Sequence, residues 1–96
     1  MSPDEFHVAG LIRTAASAEE RARILLRVPD AIMLQMADEL QRACDETQFA
    51  LGRAFVDVRV ATLSAMRQPD GELPAARAEE STFYRGLMRS LAGVAP

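Results

Sequence analysis

The segment of residues 49–66, FALGRAFVDVRVATLSAM, is apolar on nearly every side when it is read as a helix. A helix with one solvated face shows a single apolar stripe, whereas a helix that is apolar almost all round must be covered on more than one side. A chain of 96 residues has few other elements to supply that cover, so a second copy of the chain is expected to provide it. The predicted dimer interface consists of residues that share one helical face: Leu51, Phe55, Val58, Thr62 and Met66.

The same segment contains a competing strand pattern. Apolar and charged residues alternate over residues 56–60, and the apolar ones are β-branched, which is typical of a strand. No second run in the chain is suited to pair with it, and an unpaired strand is not stable. Residues 56–60 are therefore predicted to be helical, with an intermolecular two-stranded ribbon as the alternative.

Capping signals divide the N-terminal part of the chain into two short helices. A first helix is predicted over about residues 2–16. Its start is marked by Ser-Pro-Asp-Glu at positions 2–5, which provides a hydroxyl cap, a proline for the first turn and acids that interact favourably with the helix dipole. A second helix is predicted over about residues 18–27, because Ser17 and Glu20 have the spacing of a capping box.

One long central helix is predicted over about residues 29–67. Pro29 suits the first turn of a helix, and no strong helix breaker follows it in this segment. Such a helix would be about 57 Å long, whereas a compact domain of this size has a radius of gyration of only about 13 Å. The helix must either break, with the break expected between Asp45 and Gly52, or project and be covered in an oligomer. The unbroken helix is the prediction.

A Pro-Asp-Gly turn at residues 69–71 separates the central helix from the last one. The last helix is predicted over about residues 75–92, with Gly93 just past its end. Its expected core face consists of Ala76, Phe83, Leu87 and Leu91, with Tyr84 and Met88 beside it. The predicted fold class is therefore all-α: a small helical bundle that forms a single domain over residues 1–96 and dimerises.

Charge and cysteine content bear on the class of protein. The net charge is −3 and the basic residues form no basic segment, which argues against nucleic-acid binding because phosphate neutralisation supplies most of that affinity. Cys44 is the only cysteine, so neither an intrachain disulfide nor a cysteine-based metal site is expected. The N-terminal residues lack the pattern of a signal peptide, and no segment is apolar for long enough to span a bilayer. The sequence predicts a soluble, cytoplasmic protein.

Side chains that could carry catalysis are few. His7 is the only histidine, and Cys44 lies on the apolar stripe of the central helix, where a cysteine usually acts as a small hydrophobe. The carboxylates occur mainly as adjacent pairs, which point in different directions on a helix and do not form an acid–base dyad. No glycine-rich phosphate loop or nucleophile elbow is present. The protein is therefore predicted not to be an enzyme and to have no catalytic residue, metal site or cofactor.

The last helix carries a row of arginines. Arg77, Arg85 and Arg89 follow one another at multiples of four residues, and Arg85 has no acid three or four positions away that would pair with it. Arginine beside tyrosine and methionine is a composition typical of interface hot spots. The predicted partner-binding residues are Arg77, Tyr84, Arg85, Met88 and Arg89.

These observations lead to a preferred function and an alternative. The preferred function is a non-enzymatic protein–protein interaction module: a small homodimeric regulator, adaptor or inhibitor that binds and blocks an unidentified partner protein. It rests on the surplus of apolar surface and the scarcity of catalytic side chains. The alternative is a nucleic-acid-binding dimer, a transcriptional regulator that uses the N-terminal helices with Arg21 and Arg23, or a ribbon of residues 56–60 with Arg59.

Overall fold

A computed structural model describes residues 3–93 of the chain, with side chains from Val8 onward, and this part contains helices and no strand. The helices are α1 (Pro3–Thr14), α2 (Ala18–Leu26), α3 (Asp30–Gln35), α4 (Ala37–Glu46), α5 (Ala50–Leu63) and α6 (Ala75–Ala92). The all-α fold class is confirmed. The predicted cap at Ser2 and the side chain of His7 lie outside the described residues.

The capping box at the start of α2 forms as predicted. The Ser17 hydroxyl oxygen accepts a hydrogen bond from the backbone N–H of Glu20 at 3.2 Å. The Glu20 carboxylate reaches back and accepts from the backbone N–H of Ala16 at 2.9 Å. These two bonds satisfy donors that a helix start otherwise leaves without a partner, and they place the boundary between α1 and α2.

The single long helix predicted over residues 29–67 is wrong. The segment forms α3, α4 and α5, and the chain measures 43 Å along its longest axis, too short for a straight helix of about 57 Å. The first interruption is a single residue, Met36, whose ψ of 17° departs from helical geometry. Residues 56–60 lie inside α5, so the helical prediction for them is confirmed and the strand alternative is not.

The second interruption, between α4 and α5, is a Schellman motif centred on Gln48. The backbone N–H of Phe49 donates to the carbonyl of Cys44 at 2.8 Å, and that of Gln48 donates to the carbonyl of Asp45 at 3.1 Å. This pattern requires a left-handed residue, usually glycine, and here Gln48 adopts it with a φ of 55°. The break falls within the range considered from the sequence, but glutamine gave no local sign of it.

A close contact between Phe49 and Gly52 fixes the start of α5. A Cβ atom on Gly52 would lie 2.4 Å from the Phe49 ring and 3.0 Å from Leu25. The Phe49 side chain is buried, so the ring occupies the space that any larger residue at position 52 would need. Packing therefore accounts for the glycine in the first turn of α5, because the Phe49 ring lies directly on the backbone of Gly52.

α6 packs against α2 and α5, and α4 packs against α1 and α5. The buried core comprises Ala9, Ile12, Ala22, Leu25, Val28, Met33, Leu40, Ala43, Cys44, Phe49, Phe55, Val56, Met88 and Ala92. Every helix contributes to this core. α5 contributes Phe55 and Val56, while its other large apolar residues, Leu51, Val58, Val60 and Leu63, are half-buried.

The predicted core face of α6 is wrong for Ala76, Phe83 and Leu87, which are exposed, whereas Leu91 packs against the core as predicted. Phe83 is 59% exposed and Leu87 is 39% exposed, while Met88 and Ala92 are buried. α6 carries two apolar stripes of similar size, and its packing between α2 and α5 selects the one that contains Met88. The stripe that contains Phe83 is left facing outward.

Candidate functional site

Three arginines from two helices line a groove of about 420 Å³. Arg59 belongs to α5, Arg85 and Arg89 belong to α6, and the side chains of Leu26 and Phe55 complete the lining. We call these five residues the arginine groove. Phe55 is buried and Leu26 is half-buried, so the groove combines an apolar base with charged walls. Its volume lies within the range of sites that hold small ligands or a few residues of a peptide.

Charge in the arginine groove is opposite in sign to the net charge of the chain. None of the five residues that line it is acidic, although the whole chain carries −3. Asp30 pairs with one of these arginines: its Oδ1 lies 2.5 Å from Nη2 of Arg59. The Arg59 side chain is only 14% exposed, so this ion pair holds its guanidinium at one edge of the groove.

Arg85 and Arg89 are both exposed on the surface of α6. Arg85 forms no ion pair or hydrogen bond with any side chain in the described part of the chain. A guanidinium carries donors in a planar fork that matches a carboxylate or a phosphate, so the arrangement can bind an anion through two-pronged hydrogen bonds. The apolar base adds affinity for a ligand that carries a hydrophobic group beside its charge.

The structure separates the predicted partner-binding residues. Arg85 and Arg89 lie together in the arginine groove, whereas Arg77 does not line it and lies 3.9 Å from Glu80 instead. Tyr84 is half-buried against the core, and its ring meets Phe83 edge to face with centroids 5.3 Å apart. Met88 is fully buried and has no surface for a partner.

Sequence reasoning did not group Arg59, Leu26 and Phe55 with the arginines of α6. They are distant along the chain and meet only because α6 packs against both α2 and α5. No local pattern indicates this meeting. The absence of an acid near Arg85 in sequence is the one signal that pointed towards the groove.

The predicted dimer interface is divided in a similar way. Phe55 is only 4% exposed, because its own chain covers it, and it offers almost no surface to a second copy. Leu51, Val58 and Thr62 are half-buried, and Met66, beyond the end of α5, is 89% exposed. These residues do not form one open face, and their contact with a second copy stays a prediction.

Two arginines of α2 bind carbonyl groups at the ends of other helices. Nε and Nη2 of Arg21 donate to the carbonyls of Ile12 and Ala15, at 3.0 and 2.9 Å, and so cap the end of α1. Nε of Arg23 donates to the carbonyl of Ala92 at the end of α6. Two of the arginines that the nucleic-acid alternative assigned to phosphate contacts, Arg21 and Arg23, are thus engaged within the chain.

Cys44 is the one cysteine in the sequence. Its side chain is fully buried in α4, and burial raises the pKa of the thiol to about 11. A thiol in this environment stays protonated near neutral pH and is a poor nucleophile. Among the described residues, no three His, Cys, Asp or Glu side chains are grouped closely enough to hold a metal ion.

No helix within residues 3–93 combines the length and the apolarity that crossing a bilayer requires. No protein-family model, curated protein or solved structure matches this chain at a significant level.

Proposed function

We propose that this protein is a non-enzymatic interaction module that binds an acidic segment of a partner protein in the arginine groove. The observation that carries the proposal is the convergence of Arg59, Arg85 and Arg89 on an apolar base. A segment with a carboxylate beside a hydrophobic side chain would satisfy both parts of the groove. Occupying such a segment would block its other interactions, which is how a small regulator or inhibitor acts.

The local charge supports a protein partner more than a nucleic acid. The basic surface of the groove is confined to three side chains on a chain whose net charge is −3, and extended phosphate contacts need more cations than this. Arg21 and Arg23, which the alternative uses where it binds through the N-terminal helices, donate to carbonyl groups within the chain. The cytoplasmic location expected from the sequence stays a prediction.

The test is binding of a fluorescein-labelled peptide of alternating glutamate and leucine, followed by fluorescence anisotropy at low and high salt. We expect binding that weakens with salt, and a loss of about tenfold or more in Arg85→Ala, because a charged hydrogen bond contributes about 1.5–3 kcal/mol. Arg42→Ala is the matched control, since Arg42 is an exposed α4 arginine that pairs with Glu39 and does not line the groove.

Two results would overturn the proposal. One is equal affinity of the peptide for the wild type, Arg85→Ala and Arg42→Ala. The other is tighter binding of short duplex DNA than of the acidic peptide, with the same loss in Arg85→Ala, which would favour the nucleic-acid alternative. A peptide with lysine in place of glutamate should not bind. That result would show that the sign of the charge, rather than apolarity, drives the interaction.

A further inference from the structure

Residues 68–73, between α5 and α6, form a turn that is held in shape by its own hydrogen bonds. The backbone N–H of Gly71 donates to the carbonyl of Gln68, and that of Gln68 donates to the carbonyl of Glu72, each at 2.8 Å. Oδ1 of Asp70 accepts from the backbone N–H of Glu72 at 3.0 Å. The segment contains two acids and no basic residue, and residues 68–72 are all exposed. We call residues 68–73 the acidic turn.

The acidic turn presents a carboxylate that the described chain does not neutralise. Four acids of α4 and α5 form ion pairs with arginines of the same chain: Glu39, Asp45, Glu46 and Asp57. The Glu72 carboxylate forms no ion pair or hydrogen bond with any described residue. The next residue, Leu73, is half-buried and keeps part of its apolar side chain accessible. The turn therefore combines an unpaired carboxylate with a neighbouring hydrophobic group.

We infer that the arginine groove of one copy of this chain binds the acidic turn of a second copy. The inference rests on the proposed function, because it takes the groove to be a site for acidic segments. Glu72 and Arg85 form its central contact: both are exposed, they have opposite charges, and neither has a side-chain partner in the described chain. A carboxylate and a guanidinium can form two parallel hydrogen bonds. Leu73 then lies against the apolar base of the groove.

The acidic turn lies away from the groove of its own chain. Arg85 is ten residues into α6, which is about 15 Å along the helix axis from its first residue. Arg59, on the other wall, is four residues before the end of α5. No residue of the turn lines the groove of the same chain. The contact is therefore assigned to a second copy.

Reciprocal exchange of the two turns gives a closed dimer. Each copy then supplies one turn and one groove, and the same contact forms twice about a two-fold axis, whereas one-way insertion would build an open chain of copies. Two such contacts are small compared with a standard protein–protein interface, so the dimer should exchange with monomer as concentration changes. Because the turn occupies the groove, self-association and binding of an acidic partner should compete.

Sedimentation velocity over a range of concentrations tests the inference. The wild type is expected to shift from monomer towards dimer, and less so at high salt. Glu72→Arg and Arg85→Glu should each weaken self-association by about tenfold or more, because a charged contact is replaced by two like charges. Glu79→Arg is the matched control: Glu79 is an exposed acid of α6 outside the turn and the groove, so this variant should dimerise like the wild type. All four proteins should give the same circular dichroism spectrum, because the substituted side chains are exposed.

An equimolar mixture of Glu72→Arg and Arg85→Glu supplies the decisive readout. In a mixed pair the altered turn meets the altered groove and the native turn meets the native groove, so both contacts again join opposite charges. The mixture should therefore recover the dimer that each variant lacks alone. A mixture of Glu79→Arg and Arg85→Glu should not recover it to the same extent, because the altered groove then meets a native turn.

The inference is overturned if the wild type stays monomeric at all concentrations, if neither single variant weakens the dimer, or if the mixture does not recover it. The glutamate–leucine peptide separates this outcome from failure of the proposed function. Binding of the peptide through Arg85 by a wild type that stays monomeric overturns only the contact between copies. A dimer that mixing recovers, together with no binding of the peptide, supports that contact and overturns the binding of an external acidic partner.

Discussion

The Nε atom of Arg23 in α2 donates a hydrogen bond of 3.0 Å to the carbonyl oxygen of Ala92, the last residue of α6. The two residues are 69 positions apart, so this bond ties the second helix to the last one. The final carbonyls of a helix have no partner within it, and a cation near them also complements the helix dipole. The contact therefore fixes the end of α6 against α2.

Replacing Arg23 by alanine is expected to lower the free energy of unfolding by about 1–2 kcal/mol, because a charged hydrogen bond to a helix end is lost. Urea unfolding followed by circular dichroism measures the change. Arg42→Ala should lower it by less than about 1 kcal/mol, because that residue makes only an exposed ion pair with Glu39. Equal effects of the two substitutions would show that the Arg23 contact is not specific.

Gly52→Ala is expected to destabilise the protein by about 1–2 kcal/mol, because overpacking against the Phe49 ring outweighs the gain in helix propensity. Gly86→Ala in the open part of α6 should have the opposite sign and stabilise by up to about 1 kcal/mol. Thermal and urea unfolding of the two variants give the comparison. A smaller side chain without a ring should relieve the contact, so Phe49→Leu should cost less in the Gly52→Ala background than in the wild type.

Gln48→Gly is expected to stabilise the protein by about 0.5–1 kcal/mol. Gln48 is exposed and holds a left-handed φ of 55°. This conformation costs a residue with a side chain about 1–2 kcal/mol, and glycine avoids that cost. Part of the gain is lost because glycine makes the unfolded chain more flexible. The midpoint of urea unfolding should rise. Gln35→Gly, at the exposed end of α3, should lower it instead, because that position is helical. A fall in both variants would contradict the role assigned to Gln48.

Burial of Cys44 should make stability depend on pH in the alkaline range. The pKa of its thiol is raised from 9.0 to about 11, so the folded state holds this proton more tightly than the unfolded state. The thiol's contribution is therefore complete below pH 9 and is lost as the pH rises towards 11. Urea unfolding of the wild type and of Cys44→Ala should differ in their pH dependence only over this window. An identical dependence in the two proteins would contradict the prediction.

Asp30→Asn is expected to strengthen binding of the acidic peptide to the arginine groove by about threefold to tenfold, since it releases Arg59 from an ion pair that competes with the ligand. Fluorescence anisotropy measures the affinity. Glu39→Gln removes the same charge from α4, where Glu39 pairs with Arg13 and Arg42. A gain of equal size in Glu39→Gln would mean that net charge, rather than the release of Arg59, controls the affinity.

The bounds of the first, second and last helices could be predicted because their signals are local. Ser17 and Glu20 cap α2 through atoms three and four residues away, and Gly93 ends α6 with a φ of 76°. The break between α4 and α5 was not predicted, because the local residues favoured an unbroken helix. Gln48 has no intrinsic preference for a left-handed φ, and burial of Phe49 over Gly52 is what favours the turn there.

The sequence by itself determined that the chain is helical and that the segment of residues 49–66 is apolar on more than one side. It also showed that Arg85 of α6 has no acidic residue three or four positions away in the helix. Helical period, caps and turn residues act over a few positions, so they can be read directly from the chain. Only the tertiary structure decided that Phe55 and Val56 of α5 are buried within the chain, that Met88 rather than Phe83 faces the core, and that Arg59 joins Arg85 and Arg89 around one groove. These outcomes depend on which of several similar apolar faces pack together, and that choice is made by contacts between residues far apart in the chain.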